Sequence, residues 1–276
     1  MNKTTENIHA IIIDGIKRFF TSCNMSKAVL GLSGGIDSAL VAALVTEALG
    51  KENVVGILMP SPFSTLHSIN DAVNLAKNLE INYKIISIDK IYTKFMKELD
   101  PIFEDNHTWD VTQENLQARI RGTILMAYSN RHKALVTNTS NKSELSMGYG
   151  TLYGDLAGSL MVIADIYKTE VYDLARYINR DREIIPQSTL TKAPSAELRD
   201  GQKDTDSLPD YDVLDPILYK LNELGQSKEE LLAEGIDEAL IDKILRIKNS
   251  AAFKGHQMAQ LIKVSSAPLL EQSKWI

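Results

Sequence analysis

The chain has 276 residues, 44% hydrophobic and 24% charged, with 15 glycines and 8 prolines, which suits one large domain or two small ones and excludes collagen-like, disordered and low-complexity chains. Its 30 basic and 36 acidic residues leave a net charge of −6, so no basic excess points to a nucleic acid or an anionic membrane. The single cysteine, Cys23, leaves no intramolecular disulfide and no CxxC pair for zinc or redox chemistry.

Apolar residues Ile8, Ile11, Ile12, Ile16, Phe19 and Phe20 fit an amphipathic helix over residues 3–20. Asp14, Lys17 and Arg18 interrupt the apolar patch at 10–13, so no signal peptide is read there. Ala28 to Leu32 reads as a buried strand. A Ser33-Gly34-Gly35 turn follows, then an Ala/Leu-rich helix over Asp37–Leu49. Within it, the apolar run Ala39–Val45 is far too short to span a bilayer. Further strands are expected at Val54–Met59, Tyr83–Ile88 and Ala134–Asn138, and helices at Ser68–Leu79, Ile91–Leu99 and Thr112–Arg131. Strands alternating with helices predict an α/β fold: a doubly wound parallel sheet with helices on both faces. The Gly-rich turn after the first strand predicts a ligand site at the carboxyl edge of that sheet.

The second half differs. A helix is expected over Tyr167–Ile178, but Ile184 to Pro209 has no periodicity and is broken by Pro186, Pro194, Gly201 and Pro209. Seven acids against two bases fall between Glu197 and Asp215. A long acidic loop of this kind is a candidate mobile lid, over about 186–210. Tyr211–Leu224, Lys228–Ala233 and Asp237–Ala252 read as closing helices, so the C-terminal part, 211–276, is expected to be helical. With no internal repeat and no linker, the chain reads as a single domain over 1–276 with a ligand-binding core at about 27–180. A soluble protein of a reducing, cytoplasmic compartment is expected.

The sharpest motif is Gly31-Leu32-Ser33-Gly34-Gly35-Ile36-Asp37-Ser38. It lacks the lysine of a Walker loop. Two glycines let the backbone approach an anion, Ser33 and Ser38 add hydroxyl donors, and the following helix presents its positive end. Asp37 fits beside phosphates only if a cation lies between, which makes it a candidate Mg²⁺ ligand. A bare SGG would read better as a tight strand-to-helix turn with an aspartate cap. SGGxDS between an apolar strand and a helix points instead to a nucleotide.

The octet resembles the pyrophosphate loop of the N-type ATP pyrophosphatases, whose adenine nucleotide alpha hydrolase-like fold and cleavage of ATP between the α- and β-phosphates are what the resemblance implies. Three further stretches are similar to one branch: Glu114 to Arg121 (ENLQARIR), Thr137 to Asp155 (TNTSNKSE through YGTLYGD), and Lys192 to Pro209 (KAPSAELR through DSLP). Together they resemble the NAD synthetases, specifically the synthetase module of the glutamine-dependent branch, from about Lys27 to Pro216. The resemblance implies ATP-dependent adenylylation of the nicotinate carboxylate of deamido-NAD, followed by attack of ammonia and departure of AMP.

Carried over position by position, the resemblance implies that Gly31, Leu32, Ser33, Gly34, Gly35, Ile36, Asp37 and Ser38 hold ATP and pyrophosphate. Met59 would lie near the adenine, and Thr139, Lys168 and Ser195 would reach the nucleotide. It implies Mg²⁺ on Asp37 and Glu144. It places Asn115, Arg119, Glu144 and Lys254 against deamido-NAD, with Arg121 a weaker phosphate candidate. Asp155 would serve the ammonia, taking a proton before attack, and Asp155 and Lys168 form the catalytic pair. Arg119 and Arg121 lie roughly 200° apart on a helix, so one of them is expected to face the site. His9, His67, His107, His132 and His256 show no metal spacing, and Cys23 reads as an inert thiol.

Two features depart from that branch. Only 32 residues precede Ser33, too few for the nitrilase-like amidase of the glutamine-dependent enzymes. The expectation is therefore that the chain uses free ammonia, or takes it from a separate amidase subunit. Beyond Lys254, the family's basic and proline-rich stretch is replaced. The resemblance further implies a homodimer whose dinucleotide site spans both subunits. Rivals are a GMP-synthetase-like ATP pyrophosphatase and a non-catalytic nucleotide-binding module.

Overall fold

The computed structural model describes residues 4–103 and 109–269. His107 lies outside the described residues, as does the end of the C-terminal segment. In chain order the elements are α1 (Thr5–Ser22), β1 (Ala28–Gly31), α2 (Ile36–Leu49), β2 (Val54–Leu58), α3 (Leu66–Asn78), β3 (Asn82–Ile85), α4 (Asp89–Phe103), α5 (Val111–His132), β4 (Leu135–Asn138), α6 (Lys142–Ser146), β5 (Leu160–Met161), α7 (Lys168–Ile178), α8 (Gln187–Thr191), α9 (Tyr211–Asn222), α10 (Lys228–Ala233), α11 (Glu238–Ala251) and β6 (Gln260–Leu261).

The six strands form one sheet in the order β3-β2-β1-β4-β5-β6, and all pairs are parallel. The chain runs outward from β1 to β3 and then returns to the other side of β1 at β4. That reversal opens a crevice at the carboxyl ends of β1 and β4, where ligands bind in sheets of this kind.

Both faces are covered. On one, Ile12, Ile16 and Phe20 of α1 and the apolar side chains of α2 pack with Val171 and Leu174 of α7. On the other, Val29, Ile57 and Val136 of the sheet meet Ile120 of α5. A separate cluster around Leu214, Leu218, Leu231, Ile241 and Ile244 joins α9, α10 and α11. Asp215 of α9 fastens this helical layer to α6 and α7: it accepts from Ser143 Oγ at 2.5 Å and from the Thr169 N–H at 2.8 Å.

Every helix and strand expected from periodicity is present, with ends shifted by a few residues. Four short elements, β5, β6, α6 and α8, were not expected. β5 and β6 pair over two residues each, too short for an alternation signal. Residues 142–146, too short to show a hydrophobic period, form α6, with Asn141 and Glu144 making a capping box. The 186–210 segment also holds more structure than its prolines suggest, with α8 and a 3₁₀ turn at Asp204–Asp206. The C-terminal part is helical to Ala251, continues as a 3₁₀ turn and then returns to the sheet edge as β6.

Candidate active site

The Ser33–Ser38 loop leaves β1 and enters α2 at the crevice. Gly34 has φ +82°, and a Cβ there would lie 2.2 Å from the Ser68 carbonyl oxygen, so only glycine fits between this loop and α3. The Gly35 N–H donates to Ser33 Oγ at 3.1 Å, and the Ser33 and Ser38 hydroxyls are 3.0 Å apart. α2 begins with no side-chain cap on Gly35, leaving first-turn N–H groups turned toward the crevice.

Three charged side chains meet beside that loop. Asp37, in the first turn of α2, accepts from Lys168 Nζ at 2.5 Å and from Asn141 Nδ2 at 2.8 Å. Lys168, the first residue of α7, also lies 3.5 Å from Glu144 Oε1. Its side chain is only 2% exposed. Burial works against its charge, but Asp37 and Glu144 outweigh that and hold the ammonium's pKa above its ordinary value. Glu144 is pushed up to about 8, chiefly by burial and then by the Asp37 charge, with Lys168 opposing.

These residues line a small cavity of about 140 Å³, which adjoins one of about 780 Å³. The larger is of the size that small-molecule sites have. Gly31, Leu32, Ser33, Gly35, Ser38, Met59, Thr139, Asn115, Arg121, Asp155, Ser195 and Lys254 all line it. Asp37, Ile36, Glu144 and Lys168 line the smaller one, and Ser33, Gly35, Asp155 and Ser195 line both. Asp155 is open to the cavity but enclosed by surrounding protein. That enclosure pushes its carboxyl above the usual range, against the Thr151 N–H that donates to it at 2.8 Å. Asn115 accepts from Thr151 Oγ1 at 2.6 Å, and Lys254 donates to the Gly148 and Gly150 carbonyls at 2.7 and 2.5 Å.

Of the α5 arginines, Arg121 faces the cavity and donates to the Met59 carbonyl at 3.0 Å. Burial lowers its guanidinium to about 10, with Asp155 and Glu197 opposing. Arg119 is exposed, points away from the cavity and donates to the Leu152 carbonyl at 3.3 Å. The expectation that one of the two faces the site therefore falls on Arg121, the weaker candidate, within a single chain.

The 194–206 segment lies over the cavity. Gln117 Nε2 donates to the Leu198 carbonyl at 2.9 Å, Arg199 pairs with Glu114 at 3.2 Å, and buried Asp204 accepts from the Tyr211 and Tyr149 hydroxyls at 3.0 and 3.3 Å. Among the cavity residues without a role in the sequence are Lys192, Glu197, Ser68 and Thr137. Lys192 and Glu197 sit in the KAPSAELR stretch without a role. Ser68 carried no signal, being one polar residue on a helix. Thr137 is buried in β4, and its hydroxyl has no hydrogen-bond partner among the described residues.

A glycine- and hydroxyl-rich loop at the switch point of a parallel sheet, facing a lysine between two carboxylates, is an arrangement suited to a polyphosphate in an α/β protein. Residues 8–258 match the family described as NAD synthase, and the chain belongs to that family. It is 51% identical over 261 residues to the glutamine-dependent NAD(+) synthetase of Synechocystis, covering 95% of this chain and 47% of that protein. It thus spans about half the length of the curated relatives it matches. Among solved structures, the NH3-dependent NAD synthetase from Campylobacter jejuni, in complex with nitrate, is 37% identical with a TM-score of 0.74 and covers 92% of this chain and 97% of that one. The NMN synthetase from Francisella tularensis is 27% identical with a TM-score of 0.79 and covers 92% and 96%.

Proposed function

We propose that this chain amidates deamido-NAD to NAD, using ATP and ammonia and releasing AMP and pyrophosphate. The observation that carries the reading is the convergence of the Ser33–Ser38 loop and the Asp37–Lys168–Glu144 set on one cavity system. A free carboxylate is a poor acyl electrophile. Attack by a nicotinate carboxylate oxygen on the α-phosphorus of ATP breaks the bond to the bridging oxygen, and pyrophosphate leaves with the electron pair. Ammonia then adds to the acyl carbon, the C–O bond to AMP breaks, and the nitrogen loses a proton.

The loop's N–H groups, with Ser33 and Ser38, hold the polyphosphate, and Thr139 and Ser195 close on the same nucleotide. Met59, at the end of β2, packs by the adenine. Asn115, Glu144 and Lys254 contact the dinucleotide, joined by Arg121. Asp155 has the raised pKa suited to accepting the nitrogen's proton. Lys168 stabilises charge as pyrophosphate forms.

Mg²⁺ fits this site. Among the described residues no group of three or more His, Cys, Asp or Glu side chains forms a metal site by itself. Mg²⁺ characteristically takes one or two carboxylates and completes its shell with phosphate oxygens and water. Asp37 and Glu144, on either side of Lys168, are such a pair. When bound, the ion supplies charge neutralisation to the departing pyrophosphate.

The 186–210 segment acts as a lid that opens to admit ATP, hinged beside the core at 27–180. The protein works as a homodimer in the cytoplasm. Support for the dimer comes from α4, none of whose side chains is buried and which exposes Ile91, Phe95 and Ile102. A site shared across the dimer gives the outward-facing Arg119 a dinucleotide to contact. Among the described residues, no helix is long and apolar enough to cross a membrane. The nitrogen donor is tested by comparing ammonium with glutamine on the purified chain. NAD formation with ammonium alone supports the reading. Formation with glutamine, equal to that with ammonium, would contradict it.

A further inference from the structure

Lys192 and Glu197 line the large cavity, and the steps proposed above assign them no role. Lys192 caps the end of α8, and its side chain is 25% exposed. Nζ lies 2.6 Å from Glu197 Oε1 and also donates to Ser68 Oγ. Lys192 lines the smaller cavity too, as Ser33, Gly35 and Ser195 do, so its ammonium stands where the phosphate loop and the lid face each other.

Glu197 belongs to the lid and reaches across to α3. It accepts from Ser68 Oγ at 2.6 Å and from the Thr65 N–H and hydroxyl, each at 3.2 Å. Burial opposes its charge, but the Lys192 and Ser68 hydrogen bonds outweigh burial and hold its carboxyl below the ordinary value. The contact is made from a left-handed backbone, φ +49°, which favours glycine over glutamate.

The other cavity lysines are differently engaged. Lys168 is shared by two carboxylates, and Lys254 is held by two carbonyls. Lys192 faces a single carboxylate carried on a lid. A triphosphate brought to the Ser33–Ser38 loop places several negative charges beside that carboxylate. Like charges at such separations repel, whereas the ammonium is attracted to either anion. A phosphate at the loop would therefore compete with the glutamate for the lysine.

We infer that Lys192 is a further contact for the nucleotide's polyphosphate, and that Glu197 is its resident counter-ion, which positions the ammonium until phosphate displaces it. This rests on the reading of the chain as an ATP-using enzyme and deepens it. Glu197 then competes with ATP. A purely structural Lys192–Glu197 bridge would instead support ATP binding through both residues.

The test is titration calorimetry on the whole chain, with Mg²⁺ and an ATP analogue whose α,β bridge cannot be cleaved, and separately with AMP. Lys192→Met should weaken triphosphate binding about tenfold, the scale of one charge-assisted hydrogen bond, and Lys192→Arg should weaken it less. AMP affinity should stay unchanged in both, which also reports that the fold is intact. Glu197→Gln should tighten triphosphate binding, and the gain should vanish in the Lys192→Met, Glu197→Gln double variant. Unchanged triphosphate affinity in Lys192→Met, or unchanged or weaker affinity in Glu197→Gln, would overturn this inference alone. A wild-type chain that binds no triphosphate would overturn the ATP reading beneath it.

Discussion

Asp37 and Lys168 stand 131 positions apart in the chain and are joined by a 2.5 Å ion pair at the mouth of the crevice. One residue opens α2 and the other opens α7, so the pair ties two helix N-termini to a single point. Asn141, which caps α6, donates to the second oxygen of Asp37, and Glu144 of that helix completes the set. Three helix starts are thereby fixed around the place where polyphosphate charge would gather.

Asp37→Ala should abolish adenylylation, because the candidate Mg²⁺ site loses one of its two carboxylates and Lys168 keeps only the longer contact to Glu144. Pyrophosphate release should fall by about 10²–10³, the range for losing one preorganised electrostatic group. Release within tenfold of wild type would show that adenylylation does not depend on Asp37.

Asp155→Ala should separate the two half-reactions. Exchange of labelled pyrophosphate into ATP, which reports adenylylation, should persist, while NAD formation from ammonia falls much further. Equal loss of both would take the ammonia role away from Asp155.

Gly34→Ala should cost more than the usual glycine substitution. The new Cβ meets the Ser68 carbonyl at 2.2 Å, in a backbone conformation that alanine disfavours. A drop in nucleotide affinity together with a lower melting temperature is expected. An unchanged melting temperature would show that α3 and the loop can move apart.

Glu144 gives the ligand-free protein a pH dependence. Its carboxyl is raised from 4.5 to about 8 in the fold. The neutral form is therefore favoured in the native state, and its contribution to stability is present below pH 4.5 and lost as pH rises through about 8. Lys168, raised from 10.5, adds no slope in that window, since it stays protonated in both states. Melting temperatures of ligand-free wild type should fall between about pH 5 and pH 8 more steeply than those of Glu144→Gln. Parallel curves would contradict the assignment.

Lys142 is fully buried, paired with Asp165 at 2.9 Å and with Glu223, and donates to Ser265 Oγ at 2.8 Å and the Ala267 carbonyl at 3.0 Å. It pins the segment after β6 to the back of α6. Lys142→Met would leave buried carboxylates unpaired, at about 3–5 kcal/mol. Denaturant unfolding should show that loss, and a change under about 1 kcal/mol would mean that the segment reorganises freely.

The doubly wound sheet was legible because β1, β2 and β4 are short apolar runs separated by helices long enough to show their period. The Ser33–Ser38 loop was legible because its glycines and hydroxyls are contiguous. What stayed hidden depends on distant contacts. Nothing local tells that Lys168 meets Asp37, or that Arg121 rather than Arg119 faces inward; the resemblance named Asp37, Lys168 and Arg119, and the fold supplied their distances and directions. The Glu197 clasp on Ser68 bridges 129 positions, and a two-residue strand such as β5 carries no period at all. α6 was missed because its signal is a capping box rather than a hydrophobic stripe.

The measurement that bears most directly on the proposed amidation is pyrophosphate release from ATP by the purified chain, with and without deamido-NAD, in ammonium and Mg²⁺. Release is expected only when the dinucleotide is present, with AMP and NAD formed in equal amounts. Release that is as fast without deamido-NAD, or that follows xanthosine monophosphate instead, would contradict it.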